Sequence, residues 1–432
     1  MGVIGILSGW EQTAAWLVLT AVLLSIVSGK VRYEIPAFGG LLLLGLLGLS
    51  GSSGLFSGFA SPALFTVATV LVMSAGIVES GILSGLGRKI AGRIHKPKNQ
   101  ILAVFLTTGL ISALMNNVGA VGVTLPTAQR MAKRANVPAS AFGMPIAFAS
   151  ILGGSLTLIG TASNLIVSTY RQSAFGAPFR MFDFSLHGLV ILGTGILVVF
   201  LCRVCGLDPI GQKNVEHNSQ IQEEHSEVPE ITAGRSLIKS LLVLLPLLAA
   251  ILLTGAGILH PSVGFGIVVM LWLATRVLSY KNALESINLP VVLFLGSMFG
   301  ISGILQETGA LGAAIDTIRP MFEALPPFWL ILIFLFITAL FANILDNSVS
   351  AVLMAPVAIE LSRAGGLTVN PDALLMAVAA GASLGVMLPT HQATLVVSSS
   401  MEFSKKSFMK TGAVVVLLAG ILSTLVIYAV WR

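Results

Sequence analysis

Two stretches of this chain copy one another at a fixed distance. Met115-Asn-Asn-Val-Gly-Ala-Val-Gly-Val-Thr-Leu-Pro126 and Leu345-Asp-Asn-Ser-Val-Ser-Ala-Val-Leu-Met-Ala-Pro356 both run from a polar pair to a proline, 230 positions apart. The same offset carries Asn164-Leu-Ile-Val-Ser168 onto Thr394-Leu-Val-Val-Ser398, so the duplication spans about half the protein each time. Apolar residues make up 55% of the chain and charged ones 10%, and the mean hydropathy is +0.95, which excludes a soluble globular class. Polar pairs repeated at membrane depth are a mark of transporters.

Apolar runs able to cross a hydrocarbon core of about 30 Å centre on residues 14–28, 36–49, 62–83, 141–168, 186–202, 237–253, 263–274, 289–305, 374–398 and 413–431. Two further regions, 101–130 and 328–363, carry too many polar residues to be simple spans. No Lys or Arg precedes the first run, so it lacks the basic start of a cleaved signal peptide and is expected to stay. With the start of the chain outside, the positive-inside rule puts Lys30, Arg32, the Arg88 to Lys98 cluster and nearly all other basic residues in the cytoplasm. Only Arg171, Arg180, Arg319, Arg363 and Arg432 fall outside.

This arrangement requires residues 101–134 to enter and leave by one face as a re-entrant hairpin. The copy at 325–365 then enters from the other. The expected fold is therefore an all-α polytopic membrane protein of two inverted-topology repeats, 1–205 and 236–432, joined by a Glu-rich cytoplasmic linker at 206–235. Each repeat has a hairpin and a broken helix, at 140–170 and at 371–400. The breaks are read from Gly153-Gly-Ser-Leu-Thr-Leu-Ile-Gly-Thr-Ala-Ser-Asn164 and Gly381-Ala-Ser-Leu-Gly-Val-Met-Leu-Pro-Thr-His-Gln-Ala-Thr394, where glycines or a proline interrupt a span.

The hairpin tips carry Ser112, Asn116 and Asn117 in one half and Asn343, Asp346, Asn347 and Ser348 in the other. They offer oxygens to a cation and amide N–H groups to an anion, and the helix that starts after each pair favours negative charge. Asp346 has two open readings, as an N-cap and as a cation or proton site, since a carboxylate at mid-membrane must be offset. His391 is a second candidate proton carrier, because histidine titrates near neutrality; the alternative is a structural hydrogen bond to backbone. Cys202-Arg-Val-Cys205 has no second ligand pair for zinc and is read as incidental. No phosphate-binding Gly-rich motif is present, so transport must run on an ion or substrate gradient rather than on ATP.

Leu114-Met-Asn-Asn117, Leu125-Pro126, the strip 153–164, Asp346-Asn-Ser348 and 389–394 resemble the divalent anion:sodium symporters of the ion transporter superfamily, over nearly the whole chain. That resemblance implies cation-coupled (sodium or proton) symport of a small anion such as sulfate or a dicarboxylate. It also implies a homodimer, an elevator-like motion and, with no cofactor beyond the coupling ion and no enzyme chemistry, a multi-pass place in the cell (inner) membrane. A bilayer and an anion are the expected partners, and no nucleic acid. Carried over by position, the family's Ser-Asn-Thr tips fall on Asn116, Asn117 and Val118 and on Asp346, Asn347 and Ser348, and its cation sites on Ser112, Ala342, Gly160 and Thr390. Substrate contacts are expected at Asn116, Asn117, Thr161, Asn164, Asn347, Ser348 and Thr394. The cation or proton is expected at Ser112, Asn117, Gly160, Asp346, Asn347, Thr390 and His391. Four positions depart from the pattern: Val118 donates no hydrogen bond, Thr394 stands where the first half has Asn164, His391 stands where it has Thr161, and Asp346 repels a dianion. The antiporter and arsenite-permease branches carry Asp-Asn at a tip, so sodium/proton antiport or arsenite-type efflux is the alternative.

Overall fold

The computed structural model describes residues 2–80, 96–135, 137–204, 237–323, 325–363, 369–401 and 403–431. The expected linker at 206–235, Cys205 and the basic cluster as far as His95 lie outside the described residues. Among the described residues all regular structure is helical. In hydrocarbon each backbone N–H and C=O must be satisfied within the chain, and the helix does this locally.

The chain opens with α1 (Gly2–Ser28), α2 (Glu34–Leu46), the single turn α3 (Ser52–Leu55) and α4 (Pro62–Ser80). The first hairpin is α5 (Pro97–Ser112) and α6 (Asn117–Ala135). The first broken helix is α7 (Ser140–Gly153), a 3-10 turn at Gly154–Leu156, and α8 (Ala162–Phe175), followed by α9 (Ser185–Val204). The second half runs α10 (Leu237–Gly255), α11 (Pro261–Ala274), α12 (Tyr280–Ser286), α13 (Leu289–Glu307) and α14 (Ala310–Glu323). Its hairpin is α15 (Pro327–Ile344) and α16 (Asn347–Arg363), its broken helix α17 (Pro371–Ala382) and α18 (Gln392–Ser400), and its last helix α19 (Lys405–Val430). Five of the described helices are long and apolar enough to cross a membrane alone, and several shorter apolar ones accompany them. Helix α14 lies outside the expected spans because Asp316, Arg319 and Glu323 interrupt its apolar residues; Arg319 and Glu323 pair at 2.5 Å, one turn apart.

Packing repeats between the halves. In each, the two hairpin arms touch each other and the first arm of the broken helix, which is also backed by the helix after the break. The halves also interlock: α6 meets α18, α16 meets α8, and α9 lies along α19. At the centre, residues 141–153 of α7 and 373–382 of α17 are buried without exception, the mark of helices that face protein on all sides. Small residues permit that approach. A Cβ on Gly153 would collide with the Gly109 carbonyl of α5, and one on Gly381 with the Leu335 carbonyl of α15. At one end the halves are clasped by a two-pronged ion pair, with Arg171 Nε and Nη2 each 2.8 Å from an oxygen of Asp372.

Gly153→Ala is expected to lower stability by about 1–3 kcal/mol through overpacking. Gly193→Ala, at a helical glycine of α9 with open space where a Cβ would go, should be neutral or stabilising by about 0.5–1 kcal/mol. Thermal unfolding in detergent reads both; equal behaviour of the two variants would refute the close approach.

Candidate functional site

Each hairpin turns where a short polar side chain replaces a helical hydrogen bond. The Gly119 N–H donates to Asn116 Oδ1 at 2.9 Å, and the Ser348 N–H to Asp346 Oδ1 at 2.9 Å. Both residues therefore cap helices that begin at the next position, Asn117 and Asn347. The capping reading of Asp346 is thus met by geometry, and its other oxygen stays free of that bond.

Opposite each tip the helix break exposes backbone that lipid cannot satisfy, and one side chain per half closes the gap. In the first half Thr157 donates to the Ala113 carbonyl at the hairpin tip and accepts from the Gly160 N–H at 3.2 Å. In the second, the polar group sits on the hairpin instead: Asn343 Nδ2 donates to the Leu384 carbonyl at 3.1 Å. Its Oδ1 accepts from the N–H groups of Met387 and Leu388 at 2.6 and 3.3 Å. Ala113 and Asn343 are related by the 230-residue offset, so the two halves make the same joint with donor and acceptor strands exchanged. A glycine of the following helix backs each break. A Cβ on Gly188 would lie 2.6 Å from the Ser155 carbonyl, and one on Gly412 would strike that of Val386.

Tips and breaks meet at one cavity of about 390 Å³. Its lining includes the starts of four helices: Asn116 and Asn117, Thr161 and Ala162, Asp346 and Asn347, His391 and Gln392. Each start carries roughly half a positive charge from unsatisfied N–H groups, so together they present on the order of two. Gly160, Ser348 and Thr390 complete the expected set here, with Val118 as an apolar patch. Among the described residues Asp346 is the one carboxylate on the wall. Its Oδ2 lies 4.0 Å from His391 Nε2, while buried His391 Nδ1 has no hydrogen-bond partner, so the expected backbone bond to that ring is absent.

Three expected residues stand behind the cavity rather than in it. The Ser112 hydroxyl lies 2.5 Å from the Ser150 carbonyl and 3.1 Å from Asn117 Oδ1. Asn164 Nδ2 donates to the Thr157 carbonyl at 2.9 Å, and Thr394 is fully buried. Asn164 Oδ1 and Thr394 Oγ1, equivalent by the offset, both lack partners. Around Gly154 two oxygens converge, since a Cβ there would be 2.9 Å from both Asn117 Oδ1 and the Gly160 carbonyl. Around Gly385, Asn347 Oδ1 and the Ala342 carbonyl converge likewise, the carbonyl 3.0 Å from where a Cβ would stand. Asn347 Oδ1 is buried with no partner, an arrangement that calls for a cation or water. Oxygen-only donors of this type suit a hard cation.

The sequence reading missed Thr157 and the joint made by Asn343, although both stood in polar strips. It also missed the wall that faces the tips from α1–α2 and α13: Arg32, Tyr33 and Asn288. Arg32 was legible only as a topogenic charge. Burial pushes the Tyr33 phenol up to about 12, with the Asp346 and Glu34 carboxylates adding to the shift, so it remains a hydrogen-bond donor at neutral pH.

The site can be set beside known proteins. A solved YdaH transporter from Alcanivorax borkumensis shares the fold, with a TM-score of 0.63 at 16% identity over 90% of this chain and 89% of its own. A 46 kDa membrane protein of Mycobacterium leprae is 26% identical over 422 residues, which are 92% of this chain and 94% of that one. An uncharacterized transporter of Synechocystis is 28% identical over 193 residues, and this chain spans only 31% of its length. Sodium/sulfate cotransporter 1 of Chlamydomonas reinhardtii is 23% identical over 210 residues, 42% of this chain and 24% of that protein. The citrate transporter family (CitMHS) matches residues 21–381. Helical architecture, apolar spans and this match together make the chain a multi-pass membrane transporter that belongs to the citrate transporter family.

Proposed function

We propose that this protein is a secondary active transporter that carries a small anion, such as sulfate or a di- or tricarboxylate, by symport with sodium or protons. The observation that carries the reading is the convergence of four helix starts on one cavity. Asn117 and Asn347 lie at the two hairpin tips among them. A charge of on the order of +2 from the helix ends outweighs the single carboxylate of Asp346. The family's name and the sodium/sulfate relatives support the same substrate class. The oxygens around Gly154 and Gly385 are the candidate cation positions, with Asn117 and Asn347 serving both cation and anion through their two amide ends. The halves are read as inverted repeats, and the cavity as facing the cytoplasm, because its rim includes the α1–α2 connection expected there. A homodimer in the inner membrane completes the proposal.

A second reading, sodium/proton antiport or arsenite-type efflux, is favoured by one observation. Asp346, capping α16 through one oxygen, turns the other toward His391 at 4.0 Å, which is a pair able to hold a proton or a cation.

Uptake of labelled sulfate, succinate and citrate into proteoliposomes, under a sodium gradient, a proton gradient or neither, separates the two. Gradient-driven accumulation of any of these anions is the expected result; no anion uptake with sodium-induced proton release would replace symport by antiport. The double variant Asn117→Ala, Asn347→Ala should lose transport while keeping its thermal unfolding, and normal uptake would refute the site. If Asp346 carries the coupling proton, Asp346→Asn flattens the dependence of transport on pH. An unchanged pH profile would leave Asp346 as a helix cap alone.

A further inference from the structure

On the wall formed by the α1–α2 connection and the start of α13 stands Arg32, the one Lys or Arg that lines the cavity among the described residues. The side chain is not simply a solvated flank. Its Nε lies 2.7 Å from Glu34 Oε1, and Glu34 is buried at 8% exposure in the first turn of α2, its Oε2 lacking a partner. A buried carboxylate needs a compensating cation, so Glu34 fixes the guanidinium by its Nε edge. One edge of the guanidinium, at Nε, is then used, while the side chain as a whole remains 70% exposed. The two terminal nitrogens keep N–H donors in the planar fork that matches a carboxylate. The cavity thus has two separate attractors for negative charge on different walls, the helix starts at the hairpin tips and Arg32. Sulfate, a single compact ion, satisfies one. A volume of about 390 Å³ holds roughly a dozen waters' worth of space, ample for a four-carbon diacid.

We propose that Arg32, oriented by Glu34, binds the second carboxylate of a dicarboxylate whose first carboxylate lies at the Asn117 and Asn347 tips. This rests on the anion-transport reading above and assigns Arg32 as a specificity-determining residue within it.

The test compares KM for succinate and for sulfate in proteoliposomes containing wild type, Arg32→Gln, Arg32→Lys and Lys30→Gln, each normalised to correctly inserted protein. Lys30→Gln removes a positive charge from the same connection at a residue that does not line the cavity. The expected result is a rise of about tenfold or more in the succinate KM for Arg32→Gln, the scale of a lost charge-assisted contact. The sulfate KM should move much less, Arg32→Lys should fall between, and Lys30→Gln should match wild type. Because Arg32→Gln also alters a topogenic charge, the succinate-induced rise in unfolding temperature is measured in detergent, where insertion plays no part, and should shrink in parallel. An unchanged succinate KM in Arg32→Gln, an equal change for sulfate, or an equal effect of Lys30→Gln would overturn the assignment while leaving anion transport intact. If wild type neither accumulates nor is stabilised by sulfate, succinate or citrate, the transport reading itself fails and the assignment falls with it.

Discussion

The structure depends on repairing two interrupted helices inside a nonpolar slab. Backbone groups freed at mid-membrane cost several kcal/mol each if left unpaired. Thr157 and Asn343 meet that cost by bonding each break to the hairpin tip beside it. Once the joints are made, the positions of the tips, the directions of α6, α8, α16 and α18, and the cavity between them follow. The glycines at 188 and 412 belong to the same constraint, because any side chain there would push the supporting helix off the break.

Electrostatics follows from that geometry. Ending a helix in the middle of a membrane exposes N–H groups, and four such starts on one cavity make an anion attractor out of backbone alone. Carbonyl and amide oxygens gather around Gly154 and Gly385 on the other side of the same tips. The two kinds of group are inseparable, since a break that presents donors in one direction presents acceptors in the other. Broken helices thus set donors and acceptors side by side, and at one corner of the cavity the Asp346 carboxylate faces His391 at 4.0 Å.

Several elements are legible in the sequence itself. The 230-residue copy located both hairpins to within a few residues, because an Asn-Asn or Asp-Asn pair in an apolar context has few uses other than a capped turn at depth. The breaks were marked by glycines and by Pro389. What was not legible was which polar side chain faces the cavity. Asn164 and Thr394 have the same composition signal as Thr161 and Ser348, yet they turn inward behind the break. Arg32 looked like any basic residue beside a span, and its place on the wall depends on Glu34 and on α13 more than 250 positions away.

The sequence alone determined that this chain lives in a membrane and that a polar pair and a glycine-rich strip recur in it 230 positions apart. Those features are written in local periodicity and composition, which act over a few residues. Only the tertiary structure decided that tips and breaks of both halves meet in one cavity, that Thr157 and Asn343 exchange roles between the halves, and that Arg32 lines that cavity. These are contacts between residues far apart in sequence, set by hydrogen bonds across the breaks and by glycines that let two backbones touch, and no local pattern records them.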